Sequence, residues 1–134
     1  MSTFAADISK WSKKTSKGLD HMVKEIVLKL FGAVIRDTPI SDRWHSGRLK
    51  GNWRISANAP MSGIINIQDP TGAMTQATVL SFVKSLSISK TDAIFLTNSQ
   101  PYAFGIEYGA SRKAPSGMVR KNFIEITQQM KVPR

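Results

Sequence analysis

An α+β fold is what this sequence predicts, and three observations predict it. A long apolar register at helical spacing occupies its first quarter. Short stretches of alternating or β-branched residues lie in its middle, and two further helical registers surround and follow them. The expected architecture is a long N-terminal helix, a small antiparallel or mixed sheet, a middle helix and a C-terminal helix. With 134 residues, 41% of them hydrophobic and 21% charged, the chain has the size of one domain, 1–134, with a modest core.

Each element has its own signal. Over 4–34, Phe4, Ile8, Trp11, Leu19, Met22, Val23, Ile26, Val27, Leu30, Phe31 and Val34 recur mainly in steps of three and four, the pattern of an amphipathic helix. Ser2 or Thr3 offers an N-cap oxygen. Gly18 weakens the helix by about 1 kcal/mol against alanine and marks a bend or a break. Pro39 pushes Thr38 out of the α region and stops it. The polar stretch 36–50 reads as a loop. Residues 52–56 alternate like a strand, 64–67 suggest a second, and Asp69-Pro70-Thr71-Gly72 is a turn sequence. Met74, Ala77, Leu80 and Val83, with Val79 and Phe82 as further candidates, place the middle helix, ending near Leu86. The β-branched and aromatic content of 92–98 makes a strand, with Trp53 and Phe95 expected in the core. Residues 102–109 form a short helix or turn closed by Gly109, and 111–116 form a loop. Met118, Phe123, Ile124, Ile126 and Met130 then set the C-terminal helix, ended by Pro133.

Composition narrows the function classes. The chain has no cysteine, which removes disulfides, thiolate nucleophiles and cysteine-based zinc sites, and fits synthesis in a reducing cytoplasm. Its first residues lack the basic and apolar regions of a secretory signal, and no apolar run approaches the ~20 residues of a membrane span. His21 and His45 are not in metal-ligand spacing with each other or with carboxylates. No phosphate loop, nucleophile elbow or acid/base carboxylate pair is visible. The expectation is a protein without enzymatic activity, cofactor, metal or membrane.

The formal charge of +10 is the strongest compositional feature. Such a field attracts nucleic acid, anionic membrane or acidic protein without dictating a fold. Lys10, Lys13, Lys14, Lys17 and Lys24 share one face of the first helix, opposite its apolar stripe. That face is either a solvated exterior or a stripe turned to DNA phosphate or an acidic neighbour. Arg43, Arg48, Lys50 and Arg54 form a second basic cluster, and Arg112, Lys113, Arg120 and Lys121 a third. Trp44 lies in the polar loop, either as an interface anchor or folded back over the domain.

Several short motifs then occur in a telling order. Thr38-Pro39 closes the long helix, and Ser46-Gly47-Arg48-Leu49-Lys50-Gly51-Asn52-Trp53-Arg54 leads into a strand. Leu96-Thr97-Asn98, Pro101-Tyr102-Ala103 and Ile106-Glu107-Tyr108-Gly109 follow, and Ala114-Pro115-Ser116-Gly117-Met118-Val119-Arg120 opens the last helix. This series resembles the head–tail joining proteins of tailed bacteriophages, the neck or tail-completion group, over nearly the whole chain. It departs from their pattern between Thr38-Pro39 and Gly47, where 40–46 form an extended loop carrying Trp44.

The resemblance implies a structural virion protein at the head–tail junction, assembled in the host cytoplasm as a ring of six or twelve copies around the DNA channel. Its implied partners are an adaptor or stopper ring on one side and tail tube or terminator proteins on the other. Non-specific contact with genomic DNA is implied too. A tail terminator ring and a non-specific basic nucleic-acid-binding protein are the alternatives, together with a small prophage-borne regulator of a host protein. Trp44, Arg48, Tyr102, Glu107, Tyr108 and Arg120 become candidate subunit-interface residues. The five lysines become candidates to face the lumen DNA or an acidic partner. Equally, Gly47, Arg48, Glu107 and Tyr108 fit turn and cap chemistry inside one subunit.

Overall fold

The structure, a computed structural model, describes residues 16–41 and 46–129. Helix α1, Ser16–Asp37, carries the apolar register unbroken through Gly18. It ends where the sequence requires: Thr38 donates its amide to the Ile35 carbonyl (3.3 Å) and its hydroxyl to the Val34 carbonyl (2.7 Å). The same hydroxyl accepts a bond from the buried Trp53 Nε1 at 2.8 Å. One side chain thus closes the helix and supplies the only polar partner an indole in a core can use. The portion of the predicted helix before Ser16, with Phe4, Ile8 and Trp11, lies outside the described residues.

A one-turn helix α2, Arg48–Gly51, leads into β1, Arg54–Ala57. Helix α3, Ala73–Ser85, and a 3-10 turn, Ile88–Lys90, precede β2, Ile94–Thr97. The strands pair antiparallel, Ile55 opposite Leu96 and Ala57 opposite Ile94. Helices α4, Ala103–Glu107, and α5, Val119–Gln129, complete the chain. The α+β class and element order agree with the sequence, and the sheet is a two-stranded antiparallel one.

Val34, Ile35, Leu49, Trp53, Ile55, Val79, Val83 and Met118 form one buried cluster, so α1, α2, β1, α3 and the start of α5 share a core. Each such side chain contributes about 1.5–3 kcal/mol by leaving water. Thr75, Val79 and Val83, spaced by four, turn one face of α3 inward against α1.

Several sequence expectations need correction. Of the stretch 36–50 read as a loop, Arg36 and Asp37 belong to α1 and Arg48, Leu49 and Lys50 to α2. Residues 64–67 form no strand. Their alternation reflects an extended segment with Ile65 and Ile67 half-buried, and its Ile65 amide is bonded to the Asn52 side chain (2.8 Å) rather than to a neighbouring strand. Phe95 is half-buried outside the core cluster, because Ile94 and Leu96 take the core-facing parity of β2. Lys50 is buried rather than part of a basic surface. Its ammonium donates to the Arg36 carbonyl at 3.1 Å, capping the end of α1. Burial lowers the Lys50 pKa, with Asp69 and Asp37 opposing the effect.

Candidate functional site

The corner between α4 and α5 brings Ile106-Glu107-Tyr108-Gly109 against the segment 114–120 that opens the last helix. Gly109, at φ 92°, ends α4 with a Schellman motif: the Ala110 amide bonds the Gly105 carbonyl (3.0 Å) and the Gly109 amide the Ile106 carbonyl (3.2 Å). The chain then turns through Ser111, whose carbonyl accepts from the Ala114 amide at 3.1 Å. Lys113 reaches back to the Ile40 carbonyl at 2.9 Å, tying this loop to the segment after α1.

Glu107 closes the corner. Its Oε1 accepts the amides of Met118 (2.7 Å) and Val119 (2.8 Å), and its Oε2 accepts the Arg120 amide (3.0 Å). These are orphan donors of the first turn of α5, where the helix dipole also favours a carboxylate. Arg120 completes the clamp, its Nε on Oε2 at 2.9 Å and its Nη2 on the Glu107 carbonyl at 2.7 Å. Burial alone would raise the Glu107 pKa, but the three amides and Arg120 together hold it below the usual value. Gly117, at φ 85°, lies directly against the Glu107 carbonyl, so any Cβ there would overlap it.

The outer side of the clamp is aromatic. The Arg120 guanidinium lies over the Tyr108 ring, 4.2 Å from its centroid, and the Phe104 and Tyr108 rings are 4.6 Å apart. Phe104 is 74% exposed, and Tyr108, Phe123 and Ile124 are all more than half exposed. Helix α5 therefore buries Asn122 and Ile126, in line with Met118 just before it, while turning Phe123 and Ile124 outward. The sequence had grouped Phe123 and Ile124 with the buried register. The buried face has an asparagine in its middle, which a search for apolar residues passes over. Asn122 fills its place by donating to the Met118 carbonyl (2.7 Å) and to Asp37 (3.1 Å).

Asp37 is a second polar hub, accepting from Arg36 Nε at 2.9 Å and pairing with Lys121 at 3.2 Å. The hydrogen bond from Arg36, with help from Asn122 and Lys121 against burial, brings its pKa to about 2.

On the other side of α4, Tyr102 and Ile106 face Arg48 across a cleft of about 310 Å³, walled also by Pro39, Ile40 and Leu49. Arg48 Nη2 donates to Asn66 Oδ1 at 3.1 Å, and its buried Nε has no hydrogen-bond partner. Burial raises the Tyr102 pKa, with Arg48 opposing.

The structure thus brings Glu107, Tyr108 and Arg120 into one cluster and sets Arg48 and Tyr102 in another. Lys24 folds onto its own chain, paired with Asp20 at 3.3 Å and donating to the Lys84 carbonyl at 3.3 Å. Lys17 falls in the first turn of α1; its side chain, and Trp44, Lys10, Lys13 and Lys14 entirely, lie outside the described residues. Among the described residues no three His, Asp or Glu side chains gather as a metal site, and no helix is long and apolar enough to cross a membrane. Compared with protein-family models, curated proteins and solved structures, the chain shows no significant match.

Proposed function

We propose that this chain is a structural subunit of a tailed-phage virion, a neck or tail-completion protein that forms a ring where the portal–adaptor complex meets the tail. One observation carries the reading. The last two of the ordered motifs that resemble that family, Ile106-Glu107-Tyr108-Gly109 and Ala114-Pro115-Ser116-Gly117-Met118-Val119-Arg120, meet at the α4–α5 corner, where a polar clamp supports an exposed face of aromatic and aliphatic side chains. A pre-organised surface of this kind serves assembly, since little ordering entropy remains to oppose docking. In the ring, one heterologous interface repeats around an axis, so a small domain builds a channel without chemistry of its own. Six or twelve copies would surround the DNA, with adaptor or stopper and tail tube or terminator proteins above and below. The +10 charge supports a sequence-independent attraction to DNA in the lumen. A tail terminator of the same junction uses the same physics.

The test is gold-labelled antibody against the protein on purified particles, viewed by negative-stain electron microscopy, with mass spectrometry of the same particles. Label at the head–tail junction is the expected result; particles without the protein would overturn the proposal. The +10 charge also favours a second reading, a non-specific nucleic-acid binder. Salt-dependent DNA binding by a monomer that never self-assembles would select it.

A further inference from the structure

We infer that the outer edge of β2 is a self-pairing site: β2 of a second copy adds to it antiparallel, Phe95 against Phe95, so that two copies share one sheet. This contact goes beyond the neck reading and stands whether or not that reading holds.

The free edge follows from the ladder. The Asn58 amide donates to the Ala93 carbonyl at 2.7 Å, one step beyond the paired residues, and the register alternates from there. Ser56 with Phe95 and Arg54 with Thr97 are therefore the hydrogen-bonded pairs, and the amides and carbonyls of Ile94 and Leu96 point away from β1. Among the described residues nothing else bonds to them, and β1 is the only helix or strand packed along the length of β2. The two strands also differ in depth. Ile55 and Ser56 of β1 are buried, with α3 packed on that strand, whereas every residue of β2 is half-buried. Exposed edge strands are ordinarily blunted by lysine, proline or a bulge. Ile94-Phe95-Leu96-Thr97 has no charge and no proline, and it pairs with β1 without a bulge.

A second copy is the occupant this edge fits. Turned antiparallel about Phe95, it sets Ile94 of each copy opposite Leu96 of the other, so that the amide and carbonyl of each meet the carbonyl and amide of its opposite. The same register keeps parity: Ile94 and Leu96, which pack on the core, stay on one side of the joined sheet in both copies. A shift by one residue would turn the core side of one copy to the other face. The two Phe95 side chains meet at the two-fold axis in a pair without backbone bonds, where cross-strand side chains come closest. Further out, Asp92 faces Asn98 rather than a like charge. Such an isologous contact closes at two copies. The +10 charge of each copy opposes it, and salt screens that opposition.

Amide hydrogen exchange by NMR on the full chain, at rising protein concentration, tests the edge. The Ile94 and Leu96 amides should exchange freely in dilute protein and become about tenfold slower as copies associate, while the Phe95 amide, bonded to β1, is protected throughout. Sedimentation equilibrium should show monomer and dimer, with more dimer as salt rises. Phe95→Lys and Phe95→Glu should each weaken association about tenfold by placing like charges at the axis, and mixing the two variants should restore it. The exchange measurement uses the unaltered chain and so decides the matter even where a variant folds poorly. A chain that stays monomeric at submillimolar concentration, Ile94 and Leu96 amides already protected in the monomer, or a mixture no tighter than either variant would overturn the inference. So would a dimer in which those two amides stay open, since its contact would lie elsewhere.

Discussion

Two junctions of this molecule use the same chemistry at different depths. At the first, Gly47 sits at φ 80°, its carbonyl accepting the amides of Gly51 (2.9 Å) and Asp69 (3.0 Å). Asp69 then caps α3 through Thr75, whose amide and hydroxyl donate to Oδ2 at 2.8 and 2.7 Å. At the second, Gly117 sits at φ 85° and Glu107 caps α5. In both, a left-handed glycine packs against the backbone of the residue whose carboxylate satisfies the start of a helix. The difference is access to water. Asp69 is 4% exposed and bonded to neutral donors, while Glu107 is clamped by Arg120, whose side chain is half exposed. The inner junction ties α2 to α3 beside the core, and the outer one presents a surface. The same local device therefore carries different weights according to its burial.

The largest effect expected from breaking this symmetry is at Gly47. An alanine Cβ there would collide with the backbone of Asp69 and Pro70 and would need a left-handed conformation as well. Gly47→Ala should destabilise the protein by about 3 kcal/mol, lowering the thermal midpoint by roughly 10 °C. Gly117→Ala meets the same φ penalty, but two of the three atoms its Cβ would strike belong to the Glu107 side chain rather than to backbone, so about 2 kcal/mol is expected. Calorimetry on both variants compares them; equal losses would show that depth does not distinguish the junctions.

Acid sharpens the comparison next. At Asp69, burial pushes the pKa up, but the bonds from Thr75, with those of Met74 and Gly72, outweigh it and leave the group below its usual value. Asp37 and Glu107 are lowered too. A carboxylate whose folded pKa is depressed adds stability above its unfolded pKa, and that stability is lost as pH falls toward the folded value. Urea midpoints should thus be flat from about pH 7 to about 5 and decline steadily below. Asp37, at about 2 when folded, accounts for about 1–2 kcal/mol of that decline after screening, and Asp37→Asn should flatten it by that amount. A decline that is unchanged in Asp37→Asn would mean that Arg36 and Lys121 do not hold this carboxylate in solution.

Side-chain capping also explains how much of this was legible beforehand. The existence of the helices was, because α1, α3 and α5 carry apolar residues at helical spacing, but the buried face of α3 was not: Val79, Val83 and Thr75 turn inward while Met74, Ala77 and Leu80 are exposed. The Thr38 stop was legible from Pro39. Residues 64–67 were not, since alternation reports an extended backbone but cannot say whether a strand or the Asn52 side chain receives its bonds. Lys50 was misread because a cation in a polar run gives no sign that a carbonyl waits for it 14 residues earlier. Of the candidate site, Glu107 and Tyr108 were visible as cap or interface residues, and the structure gives Glu107 the cap. Asp69 was seen only as part of a turn, its partner Thr75 lying beyond the turn itself. The exposed Phe123 and Ile124 were hidden by Asn122, a polar residue doing an apolar position's packing.

The smaller effects separate the two parts of the outer clamp. Glu107→Gln keeps an acceptor for the α5 amides and loses the charge that faces Arg120 and the helix dipole, so about 1 kcal/mol is expected. Arg120→Lys keeps the charge but cannot hold Oε2 and the Glu107 carbonyl at once, nor cover the Tyr108 ring as a flat guanidinium does. Because that side chain is half exposed and screened, its loss should be only about 0.5 kcal/mol. The ranking matters more than either value. If Glu107→Gln costs more than Arg120→Lys in urea denaturation, the amides of α5 hold the corner and the arginine chiefly shapes its outer face. If the order reverses, the exposed ion pair is the fastening, and the corner should loosen with added salt. In that case the outer junction would be an electrostatic latch rather than a surface counterpart of the buried cap at Asp69.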